Sequence, residues 1–132
     1  MSTLPAEPRE FLAFLQTQSP AMREWQPLAI GSDKVIAERF PEASRRLIRT
    51  TLRNYTQSTR YLKNLQLAQV RFHFDGSEGE AVLEEHRQHA AETLKARFAA
   101  AAKRRREEAA AAQKQMKLQQ LVEHFGGSSS GR

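Results

Sequence analysis

The chain has 132 residues, enough for one compact domain with an extension, and this excludes two domains that each bury a core of their own. It contains no cysteine, which excludes disulfides, thiolate metal sites and cysteine nucleophiles. Its 21 Lys and Arg residues outnumber 15 Asp and Glu residues, and the net charge of +6 favours a polyanionic partner such as nucleic acid or an anionic membrane surface.

Two short helices are predicted near the amino terminus. The first covers residues 8–17, and Pro20 marks its end. The second follows a turn at Gly31, with Ser32 or Asp33 as its N-cap. The apolar residues that we expect these helices to pack into the core are Phe11, Leu12, Phe14, Leu15, Val35, Ile36 and Phe40.

A third helix, RRLIRTTLRNYT, is predicted to begin after Ser44 as its N-cap, and we expect Tyr55 to pack on its apolar face. The opposite face is basic, because Arg45, Arg49 and Arg53 are spaced i, i+4, i+8. A merely solvated helix face usually interleaves acidic residues with basic ones, and this face has none. The pattern therefore favours phosphate binding, to which the planar guanidinium fork is suited.

The basic block is wider than this helix. Residues 43–71 contain seven basic side chains and no acidic one. Tyr61 stands among cations in a polar segment that we predict to be a turn, an arrangement typical of proteins that hold unpaired nucleotides. Core packing is the alternative role of this tyrosine. The candidate RNA-binding residues are Lys34, Arg45, Arg49, Arg53, Arg60, Tyr61, Lys63 and Arg71.

A β-hairpin is predicted after the basic block. Residues 70–75, VRFHFD, alternate strictly between apolar and polar side chains, which is typical of a half-buried strand with Arg71 on its exposed face. The DGSEG segment that follows has residues typical of a tight turn, and GEAVL is predicted to return as the second strand. Because a lone hairpin is unstable, we expect the helices to cover it.

A long helix is predicted from Leu83 to about Phe125, where no Pro and no Gly interrupts residues that favour helices. Its first half can dock through Leu83, Ala90, Leu94 and Phe98. We therefore expect an α+β domain over residues 1–102, and a basic, Ala-rich helical extension over residues 103–132 that ends in a flexible Gly/Ser tail.

Catalytic and metal sites find little support in the sequence. His86 and His89, with Glu85, offer at most a partial ligand set, and no nucleotide-binding or nucleophile motif occurs. We expect no enzyme activity, no metal and no cofactor. The chain has no apolar run near the roughly 20 residues of a membrane span and no signal peptide, so a soluble, cytoplasmic protein is expected. The Ala-rich helix also lacks the broad apolar face of a membrane-surface helix.

Four segments occur in the order found in the ProQ/FinO family of bacterial RNA chaperones: PLAIGSDK, SRRLIRTTLRNYTQSTRYLKNL, QVRFHFDG and EEHRQHA. The chain resembles a minimal member of this family over about residues 5–100. Its departures include Ala29, where family members often carry Lys, and Val35, where they carry an acid.

The resemblance implies a compact domain of several short helices covering a small β-hairpin. It also implies binding of structured RNA, namely small RNAs, mRNA 3′ ends and terminator hairpins with single-stranded 3′ tails. We expect the chain to be a monomer. By this resemblance, Tyr61 and Arg71 match the pair that holds the 3′ end. The phosphate-contacting cations are matched by Arg45, Arg49, Arg53 and Arg60. The expected function is to protect these RNAs and to promote RNA–RNA pairing.

Two alternatives remain open. Residues 33–56 read as a helix, a short turn and a basic helix, which loosely imitates the helix-turn-helix of a small DNA-binding protein. A recognition helix usually mixes Asn, Gln, Ser or Thr with its arginines to read base edges, and here Thr50, Thr51 and Asn54 supply them. The second alternative is a helical adaptor whose tail forms a coiled coil, although the tail lacks a sustained heptad.

Overall fold

The fold combines short helices with one small sheet, the α+β architecture predicted from the sequence. A computed structural model describes residues 4–130, without the side chains of residues 127–130. Within that range the elements, in chain order, are α1 Pro8–Gln18, α2 Pro20–Arg23, α3 Ser32–Arg39, α4 Arg45–Thr56, α5 Thr59–Leu67, β1 Val70–Phe72, β2 Glu78–Ala81 and α6 Glu84–Ser130.

The amino-terminal helices meet at Ser19. Phe11 and Leu15 of α1 are fully buried, as predicted. Ser19 follows α1 and is the N-cap of α2, a short helix that the sequence pattern does not predict. Its hydroxyl oxygen accepts from the backbone N–H of Met22 at 3.1 Å and donates to the carbonyl of Phe74 at 2.5 Å. Ser19 therefore joins the start of α2 to the segment that follows β1.

The start of α3 differs from the prediction. The N-cap is Gly31, not Ser32 or Asp33, and its φ of 93° lies in the left-handed region that favours glycine. Ser32 is the first helical residue, and its hydroxyl donates to the carbonyl of Ala29. Ile36 is buried as expected, but the expectation of core packing is wrong for Val35, which is 43% exposed.

Helix α4 begins as predicted, since the hydroxyl of Ser44 accepts from the N–H of Leu47 at 3.0 Å. Tyr55 is fully buried, which confirms its packing role, and its hydroxyl donates to the carbonyl of Gln26 at 2.8 Å. Burial, and to a lesser extent the nearby Tyr61, raise the pKa of the Tyr55 hydroxyl well above its ordinary value. Tyr55 is therefore a neutral anchor that ties α4 to the segment after α2.

The hairpin is shorter than predicted. Strand β1 ends at Phe72, three residues before the predicted end, and the turn begins at His73, whose carbonyl accepts from the N–H of Gly76 at 2.9 Å. Asp75 stabilises this turn, since its carboxylate accepts from the hydroxyl and the N–H of Ser77, and these bonds hold its pKa below the ordinary value. Gly76 supplies the positive φ of 93° that the turn requires. The strands pair antiparallel, with an irregular register between Val70↔Ala81 and Phe72↔Glu78.

Helix α6 begins at Glu84, close to the predicted start. Ala90 and Leu94 are buried as predicted, whereas the expected docking is wrong for Leu83, which is 53% exposed, and the side chain of Phe98 is also 53% exposed. The chain forms two compact units, Met1–Leu94 and Lys95–Arg132. The helix reaches Ser130, over part of the predicted flexible tail, and residues 131–132 lie outside those described. No helix in the described part of the chain is both long and apolar enough for a membrane span.

Thr51 gives a test of the core that is independent of function. It is fully buried on α4, and its hydroxyl oxygen has no hydrogen-bond partner among residues 4–130. We expect Thr51→Val to raise the free energy of unfolding by about 1 kcal/mol, because it replaces an unsatisfied hydroxyl with a methyl group of similar size. Urea unfolding measures the change. Thr51→Ala is the control, since it leaves a cavity and should destabilise.

A truncation tests whether residues 103–132 form an extension, as the sequence predicts. Every residue from Lys103 to Gly126 is exposed. We expect deletion of residues 104–132 to leave the thermal unfolding of the remaining domain nearly unchanged, because these side chains bury little apolar surface. Circular dichroism melting of both proteins would show this. A truncated protein that does not unfold cooperatively would contradict the proposed boundary.

Candidate nucleic-acid interface

The basic stripe of α4 faces away from the core. Arg45, Arg49 and Arg53 are exposed, whereas the buried residues of α4 lie on the other side of the helix. Within residues 4–130, no hydrogen bond or ion pair occupies these three guanidinium groups. Each group therefore keeps its N–H donors available to an anionic ligand.

A cleft of about 520 Å³ lies between α3 and α4 and is lined by residues of both helices. Lys34, Arg45 and Arg49 supply its positive charge, and Asp33 is its acidic residue. The apolar lining residues are Ala37, Ile48 and Leu52. Fold and sequence spacing thus bring Lys34, which lies outside the acid-free block, together with two arginines of the α4 stripe.

Two other predicted site residues, Tyr61 and Arg71, lie at Leu28, and we call these three residues the Leu28 cluster. The backbone at Leu28 lies beside β1 and forms a parallel bridge with Phe72. The N–H of Ala29 donates to the carbonyl of Phe72, and the N–H of Phe72 donates to the carbonyl of Pro27. The N–H and carbonyl of Leu28 itself have no strand to pair with, and Leu28 is only 6% exposed. Two side chains satisfy them: the Leu28 N–H donates to the hydroxyl of Tyr61 at 3.4 Å, and Arg71 Nη1 donates to the Leu28 carbonyl at 3.2 Å.

Tyr61 lies on α5, so the prediction of a turn-prone segment at this position is wrong. Ser58 caps this helix by accepting from the N–H of Tyr61 at 3.2 Å. Tyr61 is 4% exposed, and its ring meets that of Tyr55 edge to face with centroids 5.1 Å apart. This burial supports the packing alternative for the ring, while the hydroxyl takes part in the Leu28 cluster.

Arg71 is half-buried, not fully exposed as the strand alternation predicts. Besides the Leu28 carbonyl, its guanidinium contacts His86, with Nη2 and Nδ1 3.0 Å apart. Because a guanidinium can only donate, Nδ1 of His86 is the acceptor in this bond. Among the described residues no group of three or more His, Cys, Asp or Glu side chains is placed to hold a metal ion. The contact with Nδ1 of His86 and the bond to the Leu28 carbonyl together hold the guanidinium of Arg71 in place.

Arg60 and Lys63 lie elsewhere, in a depression of about 370 Å³ shared with Arg23 and Trp25. Its lining has no residue in common with the α3–α4 cleft. The predicted site residues thus fall into three groups, the α4 stripe with its cleft, the Leu28 cluster and this depression. Sequence reasoning missed Arg23 and Trp25, although their proximity in MREWQP was a possible signal.

The sequence matches one known protein family over most of its length. The family model described as the ProQ/FINO family matches residues 6–108. Two curated relatives named RNA chaperone ProQ are similar in sequence. The protein of Aeromonas salmonicida is 39% identical over 94 residues, covering 66% of this chain and 45% of the relative. That of Alteromonas mediterranea is 40% identical over 93 residues, covering 65% and 42%. The chain thus spans less than half the length of these relatives.

A solved structure supports the same fold. It is a crystal structure from Neisseria meningitidis MC58 described as a FinO-like RNA chaperone, and it matches with a TM-score of 0.60 at 24% identity. The match covers 63% of this chain and 88% of that one. At this identity the likeness establishes the fold alone, which is the compact arrangement of short helices over a hairpin that the resemblance implied.

Proposed function

The chain belongs to the ProQ/FINO family, and from this premise we propose that it is a non-enzymatic RNA chaperone that binds hairpin RNAs with single-stranded 3′ tails. The observation that carries the proposal is the α4 stripe, whose three guanidinium groups have no partner within the described residues. Such groups suit phosphate oxygens, which they bind in bidentate fashion. The proposed partners are small RNAs and the 3′ ends of mRNAs, and the proposed compartment is the cytoplasm.

The α3–α4 cleft and the α4 stripe are proposed to contact the RNA stem. A-form duplexes hide the base edges of their deep, narrow major groove, so a protein reads their shape, phosphates and 2′-hydroxyls. Lys34, Arg45, Arg49 and Arg53 supply cations for the phosphates. Asp33, at the cleft, offers a carboxylate that can accept from a ribose 2′-hydroxyl, a group that DNA lacks.

The 3′ end is proposed to lie at the Leu28 cluster, beside Arg71 and the hydroxyl of Tyr61. Arg71 is held by the Leu28 carbonyl and by His86, which fixes the direction of its guanidinium. A cation held in this way loses little conformational freedom when it binds a terminal phosphate or ribose oxygen. The protein would then protect the RNA by covering its 3′ end. It would promote RNA–RNA pairing by holding the stem without reading its sequence.

Salt dependence tests the electrostatic part of this proposal. If about five phosphates are engaged, the logarithm of the association constant for a hairpin RNA should fall against the logarithm of salt concentration with a slope of about −3.5 to −4.5. Fluorescence anisotropy at several salt concentrations measures the slope. A slope near zero would contradict phosphate binding by the α4 stripe.

A further inference from the structure

The depression around Trp25 is the strongest feature of the molecule that the hairpin interface does not use. It is lined by Arg23, Glu24, Trp25, Arg60, Lys63 and Asn64. We propose that it is a second RNA contact, which binds backbone phosphates of a single-stranded segment outside the hairpin, and this rests on the proposed function. Three cations against one carboxylate make it a site for anions.

Trp25, which lines this depression, has an unusual backbone conformation. Its φ of 57° lies in the left-handed region, where residues other than glycine are uncommon. Asn64 holds the turn, because its side-chain amide donates to the carbonyls of Trp25 at 2.8 Å and Glu24 at 3.0 Å. The indole stacks on Tyr55 with centroids 5.1 Å apart and planes 10° apart. These contacts hold the ring in one position. Residues in such uncommon backbone conformations cluster at functional sites.

The fixed indole in turn positions Arg60. The guanidinium carbon of Arg60 lies 5.5 Å from the centroid of the Trp25 ring, a cation–π contact. The N–H edges of this guanidinium make no hydrogen bond within residues 4–130. Those edges match two oxygens of one phosphate. Lys63 follows three residues later on α5 and is also exposed, so both cations point from the same side of the helix.

Arg23 completes the site from α2. Its guanidinium donates to the carbonyls of Gln16 at 3.1 Å and Thr17 at 3.3 Å, which anchors it at the end of α1. This depression shares no lining residue with the α3–α4 cleft, so the two sites are separate on the protein surface. A flexible single strand, whose phosphates adapt to the spacing of the cations, fits such a site better than a second stem. A domain that holds two RNA segments at once would bring two strands close together and so promote their pairing.

The test adds a labelled single-stranded RNA of about 12 nucleotides to protein already saturated with an unlabelled tailed hairpin. Wild-type protein should bind the oligonucleotide without releasing the hairpin. In protein already saturated with the hairpin, the variant Arg60→Ala/Lys63→Ala should bind the oligonucleotide about tenfold more weakly than the wild type does. Arg60→Lys, which keeps the charge but loses the planar fork, should show part of the loss. The matched control Arg9→Ala/Lys95→Ala removes the same charge from two other exposed positions and should bind as wild type does.

Several outcomes would overturn the inference. Complete displacement of the oligonucleotide by the hairpin from wild-type protein would mean that both occupy one site. Equal loss in the control variant would mean that only net charge matters. Protein that binds inorganic phosphate in the depression but not the oligonucleotide would exclude RNA as the ligand. If wild-type protein did not bind the hairpin at all, the proposed function itself would be contradicted. This result differs from every outcome that overturns only the second RNA contact. Thermal melting of each variant excludes unfolding, and Arg23→Gln reports on the same site from α2.

Discussion

We expect Tyr61→Ala to lower the free energy of unfolding by about 3–5 kcal/mol, the range typical of removing a large buried aromatic side chain. The ring is 4% exposed and packs edge to face on Tyr55. The substitution also removes the hydroxyl that accepts from the N–H of Leu28. Chemical denaturation, monitored by circular dichroism, measures the loss.

Tyr61→Phe separates packing from binding, since it keeps the ring and removes only the hydroxyl. We expect this variant to lose about 1 kcal/mol of stability. If the hydroxyl also contacts the 3′ nucleotide, Tyr61→Phe should bind tailed hairpins more weakly and bind tailless hairpins as wild type does. A Tyr61→Ala variant of unchanged stability would contradict the core position of this ring.

Charge reversal on the α4 stripe should produce the largest loss of RNA affinity. We expect Arg49→Glu/Arg53→Glu to weaken hairpin binding by roughly a hundredfold or more, because two charge-assisted phosphate bonds are lost and two repulsive charges are introduced. The loss should be similar for hairpins of unrelated sequence, since phosphate contacts carry no sequence information. Anisotropy titrations with two such hairpins measure it.

The matched control for this reversal is Arg9→Glu/Lys95→Glu. Both of its positions are exposed and lie outside the three groups of predicted residues, and the change in net charge is the same. We expect its affinity to fall far less than that of the stripe variant. Equal losses would show that overall charge, not the α4 stripe, governs binding. Because all four positions are exposed, both variants should unfold at the wild-type temperature.

Local sequence signals predicted α1, α4 and α6 well, because each has a strong helical period or an uninterrupted helix-favouring composition. Ser44 was identifiable as an N-cap from residue type alone. The start of α3 was not, since Gly31 and Ser32 are both plausible caps and only the backbone conformation distinguishes them. Helix α5 was missed although its buried residues Tyr61, Leu62 and Leu65 are spaced i, i+1, i+4, which is the pattern of an amphipathic helix.

Long-range hydrogen bonds account for what the sequence could not reveal about the candidate site. Tyr61 and Arg71 both bind the peptide groups of Leu28, which lies 33 positions from Tyr61 and 43 from Arg71 in the sequence. No local periodicity reports such a contact, and the resemblance supplied only the pairing of the two residues. The same holds for Asn64, which fixes Trp25 from 39 positions away. The exposed α4 stripe could be predicted from the sequence, since it follows from helical spacing alone.

The most direct test compares three ligands under one salt condition: a terminator hairpin with its single-stranded 3′ tail, the same hairpin with a blunt end, and a duplex DNA as long as the hairpin stem. We expect the tightest binding for the tailed hairpin, weaker binding by about tenfold for the blunt hairpin, and still weaker binding for the DNA. Equal affinity for all three would contradict this expectation, because the protein would then be a general polyanion binder. Preference for the duplex DNA would favour the helix-turn-helix alternative instead.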